Sequence, residues 1–408
     1  MSRIVVKFGG TSLATTELIE AAADRVVALH RAGHEVLVVV SAMGEMTDTL
    51  VANAYAIAPR FDLKEYDSVV SAGEQISSGL MAIALLKQGI PARSWQAWQI
   101  PFHVSNVHKS AQIQEIETAK ILAGFAKDRA VAVCSGFQGL TEDNRIATLG
   151  RSGSDTSAVA LACAFSADEC IIYTDVDGIY TADPRVVDEA RPLEKISYEE
   201  ILELSYLGAK VIHNRAVSLA MAYDLPLWVR SSFSDASGTL ITTGDSTMEG
   251  EIVRGVTCSQ EEAKVVLSGI KDQPGRVSAV FTPLASAGVN VDMIVQNATQ
   301  LDTTEVTFTI PLADEVQCEE ILNGLKEEIG FDSLIIDRDV SKISVVGIGM
   351  RSHSGVAAKA FGTLAEMGIN IQAIATSEIK ITVLIERKFS ELAVRSLHSV
   401  YELEKDDS

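Results

Sequence analysis

Basic residues are scarce in this chain, and their scarcity excludes whole classes of partner. The 408 residues contain 34 Lys and Arg against 55 Asp and Glu, which gives a formal net charge of −21. That charge repels a polyanion or an anionic lipid surface, so we expect no nucleic-acid and no membrane partner. A nucleotide site stays open, because it needs only a few local cations.

Cysteines are also few, with five in the chain and no C-x-x-C pair among them. Their neighbours are apolar or helical, which is typical of buried free thiols in a reducing compartment. No charged segment followed by an apolar stretch opens the chain, and no apolar run reaches membrane length. We therefore expect a cytoplasmic protein.

Aromatic residues make up only 6% of the chain while apolar residues make up 47%, so the cores are aliphatic. Continuous apolar runs in the first 245 residues predict strands at Ile4–Phe8, Glu35–Ser41, Val131–Cys134, Cys170–Thr174 and Leu225–Val229. Helical patterns between them predict helices at Ala14–His30, Ala111–Phe125, Asp155–Phe165, Tyr198–Leu204 and His213–Ala222. Strands that are apolar throughout are buried on both faces. This pattern predicts a three-layer α/β domain with a mostly parallel sheet.

An internal repeat follows a stretch rich in Ser, Thr, Gly and Asp at 234–244. Gly275, Phe281, Gly288 and Asn290 each have an identical residue 80 positions later. Each copy reads as a strand, a glycine loop, a helix, a Gly-x-Asn turn and further strands, which predicts a βαββαβ ferredoxin-like unit present twice. Such units either bind small ligands at backbone amides or mediate dimerisation, and both roles are compatible.

A lysine ends the first predicted strand and is followed by two glycines and two hydroxyl residues, in the run Lys7-Phe8-Gly9-Gly10-Thr11-Ser12. Glycines let backbone N–H groups approach a ligand closely, and a helix N-terminus favours anions. The run matches neither the P-loop pattern nor G-x-G-x-x-G. It indicates either a phosphate site of another design or an ordinary glycine turn whose lysine faces solvent.

A second glycine loop, Gly150-Arg151-Ser152-Gly153-Ser154-Asp155, directly precedes a predicted helix. Ser154 or Asp155 can cap that helix, and the planar guanidinium of Arg151 suits a carboxylate or a phosphate. Alone, the loop is explained by a capped helix. Because ligands of open α/β sheets gather at the carboxyl ends of strands, the two glycine loops together favour a shared anion site.

Three further segments carry candidate polar groups. The loop that starts at Thr174-Asp175 and ends at Asp183-Pro184-Arg185 could hold Mg²⁺ through water, or could be a turn with solvated acids. Glu74, in Ser71-Ala72-Gly73-Glu74, could receive an ammonium group, or could be an acid favoured by the helix dipole. A third segment, Gly208-Ala209-Lys210-Val211, places a lysine at a helix start.

These segments, in this order and over essentially the whole chain, resemble the monofunctional aspartate kinases of the amino-acid kinase superfamily, whose tail carries two ACT units. The resemblance implies a catalytic domain at 1–245, a first ACT domain at 264–335, and a second built from 246–263 together with 336–408. One departure is that Ile212 and His213 follow the Gly-Ala-Lys-Val run, where several relatives have a His-Pro pair. The course of the chain just after Lys210 is therefore less well defined by the resemblance.

The resemblance implies transfer of the γ-phosphoryl group of ATP to the β-carboxylate of L-aspartate, the first step of the pathway to lysine, threonine and methionine. The implied catalytic residues are Lys7, Asp155 and Lys210. The implied ATP-binding residues are Lys7, Phe8, Gly9, Gly10, Thr174, Asp175, Tyr180, Arg185, Lys210 and Val211. Mg²⁺ would enter with ATP, without a dedicated protein ligand.

Substrate and effector sites follow from the same resemblance. Aspartate would be bound by Ser41, Thr47, Glu74, Arg151 and Ser154. Lysine or threonine, as feedback effectors, would be bound in the ACT copies by Asp272, Gly275, Asn290, Asp292, Gln296, Ser354, Gly355, Asn370, Ile371, Thr376 and Glu378. Gln372 stands where the first copy has Asp292, so the two copies need not bind the same ligand. The ACT pair would also join chains into a homodimer or an α2β2-type oligomer, the latter if Met248 started a separate regulatory subunit.

Two other functions fit parts of the pattern. A kinase of the same superfamily could act on a different acid or a nucleotide, although the ACT tail and the pair Glu74 and Arg151 argue against it. A non-catalytic amino-acid sensor could use the ACT pair on an inactive kinase scaffold. The intact set of Lys7, Arg151, Asp155 and Lys210 argues against that interpretation.

Overall fold

A computed structural model describes residues 2–206, 211–244, 252–298, 303–348, 350, 353 and 355–405. They divide into two units. The described part of the first unit is 2–179, 192–205 and 211–244, and that of the second is 180–191, 206 and the residues from 252 onward.

The elements of the first unit are numbered in chain order. Its strands are β1 Arg3–Phe8, β2 Glu35–Val40, β3 Ala92–Trp95, β4 Phe102–Val104, β5 Ile113–Ile116, β6 Val131–Ser135, β7 Gln138–Leu140, β8 Ile146–Thr148, β9 Glu169–Thr174, β10 Lys195–Ser197, β11 Leu227–Ser231 and β12 Thr239–Thr242. Its helices are α1 Thr16–Arg31, α2 Met46–Ile57, α3 Leu63–Val70, α4 Ala72–Lys87, α5 Ala119–Asp128, α6 Gly153–Ala164, α7 Tyr198–Tyr206 and α8 Asn214–Ala222, with a 3₁₀ turn at Thr11–Leu13.

The first unit is organised around an eight-stranded sheet in the order β10-β12-β11-β9-β1-β2-β6-β3. Every neighbouring pair is parallel except β11 and β12. Ile4, Val6 and Phe8 of β1 share one core with α1 and α4. Because side chains alternate along a strand, Lys7 points to the opposite face, where it meets α6. The predicted three-layer α/β domain with a mostly parallel sheet is confirmed.

A small second sheet corrects one predicted element. Its order is β5-β4-β7-β8, and β5 occupies the start of the segment predicted as a helix at Ala111–Phe125. Ile113 and Ile116 lie opposite Val104 and Phe102 of β4, with one register shift between the two pairs. Tertiary pairing therefore overrides the local helical pattern, and α5 starts only at Ala119.

The stretch 63–87, which comprises α3 and α4, is the one part of the described chain that has the length and apolar composition of a membrane span. Of its most apolar window, 56% is buried inside the protein. Met81 and Leu85 of α4 are fully buried in the core that α4 shares with α1 and β1. This burial is typical of the core helix of a globular domain.

The second unit contains two antiparallel sheets. Its strands are β13 Gly255–Ser259, β14 Glu262–Lys271, β15 Asp292–Ala298, β16 Thr303–Pro311, β17 Ser333–Asp337, β18 Val340–Val346, β19 Ala373–Thr376 and β20 Lys380–Glu386. Its helices are α9 Arg276–Ser286, α10 Glu315–Gly324, α11 Lys326–Ile329, α12 Gly355–Glu366 and α13 Ser390–Val400, with 3₁₀ turns at Leu312–Asp314 and Arg387–Phe389.

The two sheets of this unit correspond strand for strand. The first has the order β15-β16-β14-β17 and the second β19-β20-β18-β13. The predicted βαββαβ unit is therefore present twice, but in the second copy the last strand is supplied by β13, which precedes the first copy in the chain. Each copy closes its own core, around Phe308 in the first and Ile343 in the second.

Candidate active site

The carboxyl ends of four parallel strands bring the candidate residues of the first unit to one edge. Phe8 lies in register with Val40 and with Tyr173, and Val40 lies in register with Ser135. The loops that follow β1, β2, β6 and β9 therefore start side by side. They carry the glycine turn after Lys7, the hydroxyl of Ser41, and the pair Thr174-Asp175. This edge is where open α/β sheets bind ligands.

Lys7 forms the central contact of this edge. Its Nζ lies 2.5 Å from Oδ1 of Asp155, and both side chains are about nine-tenths buried, at 11% and 7% exposed. Lys7 comes from β1, and Asp155 from the first turn of α6, whose residues Gly153–Ala162 are all buried. The buried pair holds one cation at the point where a helix N-terminus meets the strand ends, so the predicted meeting of the two glycine loops is observed.

Glycines allow the neighbouring loops to touch. A Cβ at Gly10 would lie 3.0 Å from the carbonyl oxygen of Ala42, and the N–H of Gly44 donates to the Gly10 carbonyl at 3.0 Å. A Cβ at Gly73 would lie 2.5 Å from the Cβ of Ala42. The loop after β2 is thus packed between the Lys7 turn and the start of α4, and this packing leaves no room for a side chain at Gly10 or Gly73.

Glu74 is a buried carboxylate with unused bonding capacity. It is 3% exposed, and its Oε1 accepts one hydrogen bond, from the N–H of Ala42 at 3.1 Å. Its Oε2 is buried and has no hydrogen-bond partner among the described residues. Burial raises the pKa of Glu74 to about 7, against the opposing effect of hydrogen bonds from backbone N–H groups. An unpaired buried carboxylate of this kind is suited to receive a ligand cation.

Arg151 lies on the turn between β8 and α6. Gly150 and Ser152 on either side of it have positive φ angles of 85° and 49°, so the turn is tightly bent. Arg151 is exposed, and its guanidinium bonds to no described residue, whereas Ser154 and Asp155 just beyond it are buried. The turn therefore presents a free planar cation beside a buried helix start.

The remaining nucleotide candidates fall into two groups. In the first unit, Phe8 stacks on Tyr173, with ring centroids 4.9 Å apart, and the hydroxyl of Thr174 donates to Asp175 at 3.1 Å. Tyr180 and Arg185 instead fold with the second unit, where Arg185 forms an ion pair with Asp183 at 2.7 Å. Lys210 lies outside the described residues, while Val211 is half-buried at the start of the next described segment.

The structure also describes most of the candidate effector residues. Asp292, at the start of β15, accepts a hydrogen bond from Nζ of Lys342 in the other copy at 2.9 Å. Gln372, the equivalent position in the second copy, accepts one from Lys264 of the first. Partial burial raises the pKa of Asp292, but the hydrogen bond and charge of Lys342 outweigh it and leave that pKa below its usual range. The two copies are thus tied to each other by reciprocal lysines.

Asp272, Asn290, Gln296, Asn370, Thr376 and Glu378 are exposed, Ile371 is half-buried, Gly275 and Gly355 flank the starts of their helices, and Ser354 and Met248 lie outside the described residues.

Three groups near the site were not singled out from the sequence. Asp67 is fully buried in α3 and binds residues 41 and 81 positions away. Arg215 bridges two loop carbonyls, and Ser232 donates to Ser12 at 2.6 Å. Each is a single polar residue in an otherwise ordinary segment, so only the fold reveals what it touches.

The comparisons with known proteins agree with this architecture. The model of the amino acid kinase family matches residues 2–231, and models of the ACT domain match residues 264–330 and 343–401. An aspartokinase of Pseudomonas aeruginosa is 47% identical over 406 residues, which cover 99% of this chain and 98% of the relative.

Two solved structures share the fold. The structure of E. coli aspartokinase III in complex with aspartate and ADP is 24% identical, with a TM-score of 0.81 and coverage of 97% of this chain and 99% of that one. The same enzyme in complex with lysine and aspartate is 25% identical, with a TM-score of 0.77 and coverage of 97% and 98%. The chain therefore belongs to the aspartokinase family and is an aspartate kinase, with an amino acid kinase domain and two ACT domains.

Proposed function

We propose that the first unit transfers the γ-phosphoryl group of ATP, bound with Mg²⁺, to the β-carboxylate of L-aspartate, giving 4-phospho-L-aspartate. The buried pair of Lys7 and Asp155 at the sheet edge carries this proposal, because it holds a cation where two anions must meet. In E. coli aspartokinase III, one solved complex contains aspartate and ADP. The reaction is the first step towards lysine, threonine and methionine, and we place it in the cytoplasm.

For this reaction the protein needs mainly to position the two substrates and to neutralise negative charge. A carboxylate is already a nucleophile, so no general base is required, and the transferring phosphoryl group carries spreading negative charge. Lys7 and the N–H group of Gly10 neutralise that charge, while Asp155 orients the Lys7 ammonium. The N–H of Gly9 donates to the Tyr173 carbonyl at 3.2 Å, so Gly9 contributes by letting the backbone approach the nucleotide closely. Lys210 assists from the nucleotide side.

Aspartate is held by the two charged groups on its α-carbon. The free guanidinium of Arg151 binds the α-carboxylate, and the unpaired Oε2 of Glu74 receives the α-ammonium. Ser41, Thr47 and Ser154 line the same pocket. Bidentate recognition of one carboxylate leaves the β-carboxylate free to attack.

ATP is bound by the Lys7 turn and by the loop after β9. The proposed ligands of the nucleotide are Phe8, Gly9, Gly10, Thr174, Asp175, Tyr180, Arg185, Lys210 and Val211. The segment 180–191, which holds two of them, leaves the first unit after Ile179 and rejoins it at Pro192. Within the second unit, Thr181 bonds to Nε2 of His398 at 2.9 Å and accepts from the N–H of Val256.

That segment provides a route for feedback. Lysine or threonine bound in the ACT copies acts on the packing of the second unit, and the segment 180–191 carries the change to the nucleotide. Supporting observations are the reciprocal lysines at Asp292 and Gln372, which couple the two copies. One solved complex of E. coli aspartokinase III contains lysine.

We also propose that the ACT copies join chains into a homodimer or an α2β2-type oligomer. Ile294 and Ile374, equivalent residues of the edge strands β15 and β19, are 51% and 44% exposed. We also propose a catalytic domain at 1–245, a first ACT domain at 264–335, and a second ACT domain built from 246–263 with 336–408. Because β14 begins at Glu262 and β17 ends at Asp337, the sheet of the first ACT domain extends about two residues beyond each of its proposed bounds.

Steady-state kinetics of two variants tests the assignment of roles. Arg151→Ala raises the KM for aspartate more than the KM for ATP, because its guanidinium binds only the acceptor. Lys7→Ala lowers kcat by roughly 10²- to 10³-fold, since one electrostatic contact to the transition state is lost. Lys195, on β10, gives a matched control: Lys195→Ala leaves both constants unchanged. A larger effect of Arg151→Ala on ATP than on aspartate, or near-normal turnover of Lys7→Ala, contradicts the roles.

A further inference from the structure

A buried carboxylate outside the proposed catalytic set binds both chain segments that meet at the Arg151 turn. Asp67 of α3 is 0% exposed. Its Oδ2 accepts from Nδ1 of His108 at 2.7 Å and from the N–H of Lys109 at 3.1 Å. The same oxygen accepts from the N–H of Thr148 at 3.1 Å, and Oδ1 accepts from the Thr148 hydroxyl at 2.7 Å. Burying a carboxylate is costly unless donors surround it, and here four donors do.

Thr148 is the last residue of β8, three positions before Arg151. The segment that contains His108 and Lys109 runs beside it, with the N–H of Ala111 donating to the Thr148 carbonyl at 2.9 Å. A Cβ at Gly150 would lie 3.0 Å from the Lys109 carbonyl oxygen. Gly150 therefore packs on the very segment that Asp67 holds.

A second residue, Arg215 of α8, joins the same two segments by hydrogen bonds. Arg215 donates from Nη1 to the Leu149 carbonyl at 3.0 Å and from Nη2 to the Ala111 carbonyl at 2.8 Å. Leu149 and Ala111 are buried, so the two carbonyls depend on these donors. The carboxylate of Asp67 thus accepts hydrogen bonds from N–H and O–H groups, and the guanidinium of Arg215 donates to carbonyls. Both side chains bind the residues that lead into Gly150.

We propose that Asp67 and Arg215 are positioning residues for aspartate binding, which hold the turn so that the Arg151 guanidinium meets the α-carboxylate of the substrate. This inference rests on the proposed role of Arg151. Neither residue needs to touch substrate, because a displacement of about 1 Å at a binding group can cost up to roughly 10²-fold.

The hydrogen bonds of Asp67 predict different effects for two substitutions, Asp67→Asn and Asp67→Ala. In Asp67→Asn the amide oxygen can keep the three N–H donors, and its NH₂ group can donate to the Thr148 hydroxyl, which also accepts. Asp67→Ala leaves all four donors without an acceptor. We expect Asp67→Ala to raise the aspartate KM roughly ten- to a hundredfold with the ATP KM unchanged, and Asp67→Asn to stay within about threefold of the wild type.

The decisive experiment is a double-mutant cycle on the full-length enzyme. Because Asp67 acts through Arg151, adding Asp67→Ala to Arg151→Ala produces no further rise in the aspartate KM. Arg215→Met gives the same aspartate-specific rise by a second route, should Asp67→Ala fold poorly. Glu200→Ala is the control, since Glu200 is a buried carboxylate of the same unit that binds the N–H and hydroxyl of Ser197, away from this turn.

Three results would overturn the positioning role. The first is fully additive effects of Asp67→Ala and Arg151→Ala on the aspartate KM, and the second is an equal rise in the KM values for aspartate and ATP. The third is a normal aspartate KM in both Asp67→Ala and Arg215→Met. An aspartate KM unaffected by Arg151→Ala itself overturns the proposed role of Arg151, which separates failure of the proposed function from failure of this inference.

Discussion

Aspartate binding is expected to tighten as the pH rises through about 7, because Glu74 in its proposed role must be ionised to receive the α-ammonium group of the substrate. Burial raises the pKa of this carboxyl to about 7, and no described residue neutralises its Oε2. Only the ionised fraction binds, so the apparent aspartate KM at pH 6 is about tenfold above its value at pH 8. Initial rates at saturating ATP and Mg²⁺, from pH 5.5 to 8.5, measure this.

The same protonation affects stability with a definite sign. The pKa of Glu74 is higher in the folded than in the unfolded state, so the folded state binds more protons between pH 4.5 and 7. The contribution of Glu74 to the free energy of unfolding therefore falls as the pH rises across that window, by about 3 kcal/mol, and does not change above it. Glu74→Gln removes both dependences and weakens aspartate binding at every pH. An aspartate KM that is flat from pH 5.5 to 8, or one that varies equally in Glu74→Gln, refutes the reasoning.

Two further predictions concern packing and feedback. Gly73→Ala places a Cβ 2.5 Å from that of Ala42 and lowers the free energy of unfolding by about 1–3 kcal/mol. Gly79→Ala in the same helix places its Cβ where no atom lies within 4 Å, so it raises the free energy of unfolding slightly. Thermal denaturation of both variants measures the contrast. His398→Gln disturbs the hydrogen bond to Thr181, which holds the segment 180–191 within the second unit. It therefore weakens inhibition by added lysine or threonine at least severalfold and leaves the kcat without inhibitor unchanged. Full inhibition of this variant contradicts the proposed route.

Local patterns predicted the strand and the helix that place Lys7 and Asp155 at the sheet edge. The β-branched run before Lys7 and the glycines after it are readable as strand and turn, and the small residues after Gly150 as a helix start. Both predictions are confirmed, and the structure adds the ion pair of Lys7 on β1 with Asp155 in the first turn of α6. The pattern failed at Ile113–Ile116, where pairing with β4 decided the conformation.

Long-range partners could not be read in the same way. Asp67 sits in a segment that looks like an ordinary amphipathic helix, and its role depends on donors in two distant loops. The buried Glu74 binds the N–H of Ala42 through one oxygen and leaves the other unpaired, which no local pattern indicates. Burial of a polar atom is a property of packing, so residues of this kind emerge only from the fold.

The central claim is that this chain phosphorylates the β-carboxylate of aspartate. Hydroxylamine converts an acyl phosphate into a stable hydroxamate, so mass spectrometry of a reaction with ATP, Mg²⁺, L-aspartate and hydroxylamine identifies the acceptor group. We expect aspartate β-hydroxamate in a one-to-one ratio with ADP, and its loss in Lys7→Ala. Formation of the α-hydroxamate, or release of ADP without any hydroxamate, would contradict it.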